Sequence, residues 1–329
     1  MAEVETQTRP GGETAAKAAP YVRPDVRAFL DFLNSAGAAP MSSQTPEMAR
    51  LGVLQLGSVA ERAPLVLPVI RDLAAPGPAG DIALRLYDMR AAREPGPAIV
   101  FFHGGGFVIG NLDTHHAFCT EIASALDLPV IAVDYRLAPE HPFPAAPDDC
   151  EAAARWIATS PNAIGRTITG LIPMGDSAGG NLAIVVTQAL GDDPATVPVV
   201  MQVPLYPLTD DKADHVSTQV FAEGYLLNAD SMGWFGKCYA APLKDPRAYP
   251  LYHDHAGTPP TVLVTAGLDP IRDNGRVYGA ELVLAGVDVT FLELSGTIHG
   301  FAQLRKVIPS AQDDILSIFA AMKRQLEHI

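Results

Sequence analysis

Apolar and polar residues alternate along the chain with two periods, one typical of strands and one typical of helices. Residues 82–88, IALRLYD, are apolar at every second position near the start of the run, and residues 98–102, AIVFF, are apolar throughout. The first pattern predicts a strand with one buried face, and the second predicts a strand buried on both faces. Similar runs predict further strands at 129–135, 168–175, 197–206, 261–267 and 288–294.

Segments with helical spacing of apolar residues separate most of these predicted strands. Strands that are apolar on both faces and joined by helices form a mostly parallel sheet that helices cover on two sides. The sequence therefore predicts an α/β fold. The predicted helices are roughly 114–126, 148–159, 178–190, 271–285 and 311–327.

Two parts of the chain fall outside this alternation and are candidates for a lid. Residues 21–60 contain two helical patterns before the first predicted strand, and residues 207–257 form an interval of about fifty residues, too long for a plain crossover. We expect a mobile tail at 1–20, because that segment lacks any periodicity. The α/β part then consists of residues 61–206 and 258–329.

Composition narrows the classes of function. The chain has 329 residues, of which 48% are hydrophobic, with a formal net charge of -14 and a sequence pI near 5.0. An acidic protein lacks the attraction to phosphate backbones that a basic surface supplies, so nucleic acid is not an expected partner. Three cysteines, Cys119, Cys150 and Cys238, match neither a disulfide framework nor a zinc site. Without an apolar export segment or spanning helix, we expect a cytoplasmic protein with no membrane anchor.

The sequence GDSAGG at 175–180 matches the pattern G-x-S-x-G between a predicted strand and a predicted helix. In that context Ser177 lies on a sharp strand-to-helix turn with its hydroxyl exposed, and the flanking glycines leave room for the turn. The same residues also fit a serine that caps a helix beside glycine turn residues. The strand and the helix on the correct sides favour a nucleophile.

A serine nucleophile needs an imidazole that accepts its proton and a carboxylate that orients the imidazole. Asp269 and His299 each follow a later predicted strand, and their order after Ser177 is that of an α/β-hydrolase sheet. Asp269 also fits an ordinary helix start, because Pro270 follows it. Asp273 is a rival acid that we interpret as a carboxylate in the first turn of the helix.

Three consecutive glycines follow a predicted strand in HGGG at 103–106. Glycine loses the most conformational freedom on folding, so the triplet indicates unusual backbone dihedrals or a close approach to a ligand. One interpretation is a tight turn without a ligand. The other is a set of bare N–H groups that stabilise the oxyanion of a tetrahedral intermediate formed at a nearby serine.

Together these motifs resemble those of the hormone-sensitive-lipase-like, or bacterial family IV, carboxylesterases of the α/β-hydrolase fold. The resemblance implies a triad and an oxyanion hole, with Gly104 mainly shaping the turn. The implied triad is Ser177, Asp269 and His299, and the implied oxyanion donors are the backbone N–H groups of Gly105, Gly106 and Ala178. The matching stretches are HGGGFVIGNLDTH (103–115), VDYRLAPEHPFPAA (133–146), GDSAGGNLA (175–183), DPIRD (269–273) and HGF (299–301).

The resemblance also implies a helical cap made of residues 21–60 and 207–257, with the ester entering between cap and sheet. We expect Arg136 and Glu140 to brace neighbouring loops through an ion pair. The sequence HDH at 253–255 offers no third ligand at a typical spacing, so we predict a surface loop and no metal. The predicted apolar lining of the pocket is Phe107, Tyr206, Leu227 and Ile271, with ordinary core packing as the alternative for each.

The expected function is a cofactor-independent serine carboxylesterase that hydrolyses short-to-medium acyl esters through an acyl-enzyme. Two alternatives stay open. A receptor on the same fold would bind a small molecule without catalysis, although such proteins typically lack one triad member. A hydrolase of amides, carbamates or lactones would use the same residues. The expected partner is a small-molecule ester, and a homodimer is an assembly common among relatives.

Overall fold

The computed structural model describes residues 19–37 and 39–328, and an eight-stranded sheet lies at its centre. The order across the sheet is β1-β2-β4-β3-β5-β6-β7-β8. β2 pairs antiparallel with both β1 and β4, and the other neighbouring strands are parallel. The predicted mostly parallel sheet is confirmed. The strands are β1 (Val69–Gly77), β2 (Gly80–Asp88), β3 (Gly96–Phe102), β4 (Val130–Asp134), β5 (Ile168–Asp176), β6 (Val203–Leu205), β7 (Thr261–Leu268) and β8 (Val289–Ile298).

Helices cover both faces of this sheet. Ile99 and Phe101 of β3 belong to one apolar core, and Val100 and Phe102 belong to the core on the opposite face. The unbroken apolar run of β3 is therefore explained by burial on both faces. Among the described residues, no helix is both long and apolar enough to cross a membrane. The helices are α1 (Pro24–Ser35), α2 (Pro46–Ala60), α3 (His116–Leu126), α4 (Ala145–Ala158), α5 (Ala178–Asp192), α6 (Val216–Val220), α7 (Ala229–Tyr239), α8 (Arg272–Leu284) and α9 (Ser310–Leu326).

Two strands differ from the sequence prediction. The pattern analysis did not predict β1, which is an edge strand whose side chains, such as Arg71 and Asp72, are mostly exposed, so it lacks an apolar period. The predicted strand at 197–206 was too long, because only 203–205 forms a strand and 199 makes an isolated bridge. Pro198 supplies no N–H to a ladder, which limits pairing at the start of that run, whereas Pro204 lies within the strand that forms.

The segment before β1 is tied to the end of the chain. Val26, Phe29 and Leu30 of α1 are buried in the same core as residues of β8 and α9. The guanidinium of Arg23 donates to Asp314 of α9 at 2.5 Å and 2.9 Å. These contacts place α1 beside the carboxyl end of β8. Of the tail predicted at 1–20, residues 1–18 lie outside the described residues.

Candidate active site

Ser177 lies on the turn between β5 and α5 and has φ 56° and ψ -117°, a backbone conformation that is strained for a residue with a side chain. The neighbouring glycines have a steric cause. A Cβ on Gly179 would lie 1.9 Å from the carbonyl oxygen of Phe102, and a Cβ on Gly175 would lie 2.4 Å from the same oxygen. The G-x-S-x-G pattern therefore follows from the close approach of this turn to the end of β3.

Ser177, His299 and Asp269 form a continuous hydrogen-bonded chain. The hydroxyl oxygen of Ser177 lies 2.8 Å from Nε2 of His299, and Nδ1 of His299 lies 2.7 Å from Oδ2 of Asp269. Asp269 is fully buried and His299 is 7% exposed, so their contact is shielded from water. The three side chains come from the ends of three different strands, and the fold brings them together across 122 positions of sequence.

Asp269 does not cap a helix. Its Oδ1 accepts from the backbone N–H of Ile271 at 2.9 Å, which closes a short turn, and α8 begins only at Arg272. The second oxygen remains for His299. Asp273 accepts from the N–H of Ser217 and pairs with Arg272, so it braces α6 against α8 as a first-turn carboxylate.

The glycine loop after β3 has no room for side chains. A Cβ on Gly104 would lie 2.4 Å from Asp176, and one on Gly105 would lie 2.1 Å from the carbonyl oxygen of Ile109. Gly105 and Gly106 also have positive φ, 119° and 59°. Within residues 19–37 and 39–328, no protein acceptor takes the N–H of Gly105, Gly106 or Ala178. These N–H groups are free to bind an anion beside Ser177.

Sequence reasoning missed a buried polar group that holds this loop. Asp176, directly before Ser177, accepts from the N–H of Gly104 at 2.9 Å and lies 3.0 Å from Nε2 of His115. Burial alone raises the pKa of Asp176, but the neighbouring His115 and the Gly104 N–H outweigh it, so the pKa lies below its usual value. The sequence contained one indication of this contact. Asp176 lies inside GDSAGG, and His115 ends the matching stretch 103–115.

His103, the first residue of the glycine motif, is buried and uncharged. Its Nδ1 lies 2.8 Å from the carbonyl oxygen of Gly104, so this nitrogen carries the proton and donates. The ring stacks on Tyr135 at 4.2 Å, and the hydroxyl of Tyr135 donates to the carbonyl of His103 at 2.7 Å. Burial and then the nearby His115 lower the pKa of His103 to about 3. His103 thus supports the loop as a neutral ring.

A cavity of about 730 Å³ opens above Ser177. Three of the four predicted lining residues, Phe107, Leu227 and Ile271, border it. Tyr206 is not among the residues that border the cavity. Its buried ring instead packs edge-on against His299 at 4.9 Å. The alternative of core packing therefore describes Tyr206.

The expected pair of Arg136 with Glu140 was wrong. Arg136 binds Asp149 at 2.7 Å and 2.8 Å, whereas Glu140 binds Arg50 of α2 at 2.7 Å. The hydrogen bond with Arg50 lowers the pKa of Glu140 to about 2. Arg50 gave no sequence signal because its partners are more than fifty positions away in the chain.

The HDH sequence is only partly a surface loop. His253 is partly exposed and lies 2.9 Å from Asp192. His255 is instead 7% exposed, with its ring edge-on to Tyr278 at 5.3 Å. The prediction of a surface position was therefore wrong for His255, because the loop folds back onto α8.

A sheet of this order, with a serine on the turn after β5, defines the α/β-hydrolase class. A family model described as an alpha/beta hydrolase fold matches residues 99–303. Esterase LipI of Mycobacterium tuberculosis (strain ATCC 25618 / H37Rv) is 38% identical over 253 residues, which are 74% of this chain and 78% of that protein. Ethyl acetate hydrolase of Pseudomonas putida is 36% identical over 235 residues, 70% of this chain and 74% of that protein.

A solved structure gives the same result over nearly the whole chain. The ester-hydrolase EH1AB1 from the metagenome of Lake Arreo superimposes with a TM-score of 0.88 at 37% sequence identity, covering 93% of this chain and 99% of that chain. The chain belongs to the α/β-hydrolase family, and the resemblance indicated by its motifs is confirmed.

Proposed function

We propose that this chain is a serine carboxylesterase in which Ser177 is the nucleophile, His299 the general base and Asp269 the orienting acid. The observation that carries the proposal is the pair of hydrogen bonds from Ser177 to His299 and from His299 to Asp269, 2.8 Å and 2.7 Å long, at the floor of a cavity. The names of its relatives, esterase and ethyl acetate hydrolase, support the same reaction class.

In the first half of the reaction the hydroxyl of Ser177 attacks the ester carbonyl and gives its proton to Nε2 of His299. Asp269 accepts from Nδ1–H, which keeps the imidazole in the tautomer that can take that proton and stabilises the imidazolium that forms. The carbonyl oxygen gains negative charge and receives hydrogen bonds from the N–H groups of Gly105, Gly106 and Ala178. His299 then protonates the leaving alcohol, and an acyl-enzyme on Ser177 remains.

In the second half a water molecule gives a proton to His299 and attacks the acyl-enzyme. The same N–H groups bind the second oxyanion, and the acid leaves as Ser177 regains its proton. No step requires a cofactor. Because removing one oxyanion-hole donor costs about 3 to 4 kcal/mol of transition-state stabilisation in a comparable enzyme, we expect the glycine loop to contribute to the rate alongside the triad.

We further propose that residues 21–60 and 207–257 act as a cap over a catalytic domain of residues 61–206 and 258–329. Supporting this, α2 and α7, one from each segment, both border the cavity above Ser177. An ester of short-to-medium acyl length is the expected substrate, and the relative named ethyl acetate hydrolase is consistent with a short one.

Replacement of Ser177 tests the proposal. Ser177→Ala should lower kcat/KM for p-nitrophenyl butyrate by at least about 10⁴-fold, because the nucleophile is lost, while the unfolding midpoint stays near that of the wild type. Ser317→Ala, an exposed serine of α9, is the matched control and should keep wild-type activity. A folded Ser177→Ala variant with near-normal activity would refute the nucleophile. The corresponding p-nitroanilide, run alongside, separates ester from amide hydrolysis.

A further inference from the structure

Two helices, α2 and α7, face the cavity with one stripe of residues each. The stripe of α2 has the spacing i, i+3, i+4, i+7 and i+8, and the stripe of α7 is broader, with positions 231–233, 235, 236 and 239. Such positions are normally filled by large apolar side chains. Each stripe instead contains two glycines, which are Gly52 and Gly57 on α2 and Gly233 and Gly236 on α7.

Neither usual cause of a glycine applies to these four positions. None has a positive φ, and a Cβ added at any of them would meet no heavy atom within 4 Å. The glycines around Ser177 are different, since a Cβ there would collide with backbone or side chains. Gly52, Gly233 and Gly236 are exposed and Gly57 is half-exposed, so the four border the open side of the cavity.

Glycine inside a helix destabilises it relative to alanine, because the unfolded chain has more freedom to lose. Four glycines on two helices that face one cavity therefore reduce stability without improving any contact in the protein. What they provide is volume. Side chains at these positions would extend into the open side of the cavity that Ser177 also borders.

The gap between the two helices is held open by contacts at their ends. Arg50 of α2 donates to the carbonyls of Val108 and Ala138 at 2.8 Å and 3.0 Å. At the start of α7, Asp230 accepts from both the N–H and the hydroxyl of Ser42, at 3.0 Å and 2.5 Å. At the other end, the carbonyl of Tyr239 accepts from the N–H of Phe143 at 2.9 Å. Both helices are thus fixed to the sheet domain, and α7 is also fixed to the segment just before α2, so the space does not depend on a ligand.

We propose that the substrates include esters carrying a ring or a branched group, and that this group occupies the space that Gly52, Gly57, Gly233 and Gly236 leave between α2 and α7. The inference rests on the proposed esterase function and extends it to a substrate class. A cavity of about 730 Å³ is several times larger than an acetyl or butyryl group requires, and cavities of this size hold drug-sized ligands.

The test compares the hydrolysis of small and ring-bearing esters by the wild type and by variants in which a leucine side chain fills part of the cavity. Methyl cyclohexanecarboxylate carries a ring on the acid side, and cyclohexyl acetate carries one on the alcohol side. Methyl acetate and ethyl acetate are their small counterparts, and neither carries a ring. The variants are Gly52→Leu, Gly233→Leu and Gly236→Leu, each with the corresponding alanine variant. Gly191→Leu is the matched control, because Gly191 is an exposed helical glycine of α5 whose Cβ would also meet nothing, away from the cavity.

The wild type should hydrolyse at least one ring ester with kcat/KM within about ten-fold of its small counterpart. A leucine at one of the cavity glycines should lower the ratio of kcat/KM for the ring ester to kcat/KM for the small ester at least about ten-fold. The leucine side chain then occupies the space that the ring needs. The leucine and alanine variants should each unfold at a temperature equal to or higher than that of the wild type, because both residues favour a helix more than glycine does, and this excludes misfolding as the cause. The control should leave the ratio unchanged. If the ratio falls for the ester with a ring on the acid side, the acid lies between the helices. If it falls for the ester with a ring on the alcohol side, the alcohol lies there.

Two results would overturn the inference. One is a wild type that excludes both ring esters while hydrolysing the small ones. The other is a set of variants that lose activity on ring and small esters alike, which would mean that the glycines serve helix motion rather than volume. If the wild type hydrolyses no ester at all, the proposed function itself is contradicted, and this inference falls with it.

Discussion

At the glycine loop, the charge state of a single side chain, that of His103, matters as much as its shape. His103 contributes a neutral ring whose Nδ1–H closes onto the carbonyl of Gly104. Among the residues that the structure describes, no carboxylate hydrogen-bonds to this ring, since the nearby Asp176 pairs with His115 instead, so a positive charge here would lack a direct partner. Burial therefore keeps the pKa of His103 low, at about 3.

This shift predicts a pH dependence of stability. In the unfolded chain His103 takes up a proton below about pH 6.5, whereas in the folded chain it does so only near pH 3. Between these values the unfolded state binds one more proton, so the free energy of unfolding falls as the pH falls. From about pH 6.5 to about pH 5 the loss is roughly 2 kcal/mol from this group.

Urea unfolding of the wild type and His103→Gln at both pH values measures that contribution. The variant should be less stable at neutral pH, but its free energy of unfolding should fall less on acidification, by roughly 2 kcal/mol. Titration of groups that do not interact with His103 is common to both proteins and cancels in the comparison. Equal pH slopes for the two proteins would contradict a neutral, buried His103.

The sequence indicated the residues of the proposed triad better than the residues that hold them in place. Ser177, Asp269 and His299 each follow a strand within a short motif, so local pattern and chain order are enough to select them. The contact between His115 and Asp176 forms only because the loop after β3 folds over the turn at Ser177, so no local sequence pattern reveals it. Tyr206 was misplaced for the same reason, because its neighbour in space, His299, is far away in sequence.

At the scale of elements, one side chain of α2 makes several hydrogen bonds to the sheet domain. Arg50 donates to two buried backbone carbonyls, of Val108 and Ala138, and to the carboxylate of Glu140. Val108 lies just after the glycine loop, so this arginine connects the proposed cap to the proposed oxyanion hole. A guanidinium suits this position because its rigid fork can bond several acceptors at once.

Arg50→Met should therefore lower the free energy of unfolding by about 1 to 3 kcal/mol, since two buried carbonyls lose their partners. KM for a p-nitrophenyl ester should rise as well, because α2 borders the cavity. Arg155→Met, which removes a partly exposed ion pair with Glu151 on α4, is the control and should change stability by less than about 1 kcal/mol. Equal losses of unfolding free energy in the two variants would show that the contacts of Arg50 contribute no more than an exposed ion pair does.

Elements with a strong period were predicted well, and elements without one were not. β3 and α9 have long runs that are buried as the pattern requires. β1 is exposed along most of its length and pairs on one side only, so no hydrophobic period reveals it. The strand predicted at 197–206 forms a ladder only at 203–205, with isolated bridges at 199 and 202, so its apolar residues predicted more strand than the chain forms.

Across the whole molecule, a buried ion network joins the segment before β1 to the segment after β8. Arg305 is 2% exposed and binds both Glu61, at 3.0 Å, and Glu121. The N–H of Lys306 also donates to the carbonyl of Ala60 at 3.0 Å. Burial raises the pKa of Glu61 even though Arg305 opposes the shift, so this carboxylate depends on its partner.

Arg305→Met should destabilise the protein at neutral pH by about 3 to 5 kcal/mol, because it leaves Glu61 buried without a counter-charge. Adding Glu61→Gln should recover part of that loss, since the uncompensated charge is then removed. Arg324→Met, on an exposed position of α9, serves as the control. Urea unfolding of the four proteins checks this, and a double variant no more stable than Arg305→Met would contradict the charge argument.

The most direct test of the whole account is covalent capture of the nucleophile. Diethyl p-nitrophenyl phosphate transfers a diethyl phosphoryl group to an activated serine and should label the wild type once. Trypsin cleavage after Arg166 and Lys212 releases residues 167–212, in which Ser177 is the only serine, so peptide mass spectrometry assigns the site directly. The account predicts the label on Ser177, with no label on Ser177→Ala and slow labelling of His299→Ala. A label on another peptide, together with unimpaired ester hydrolysis by Ser177→Ala, would contradict it.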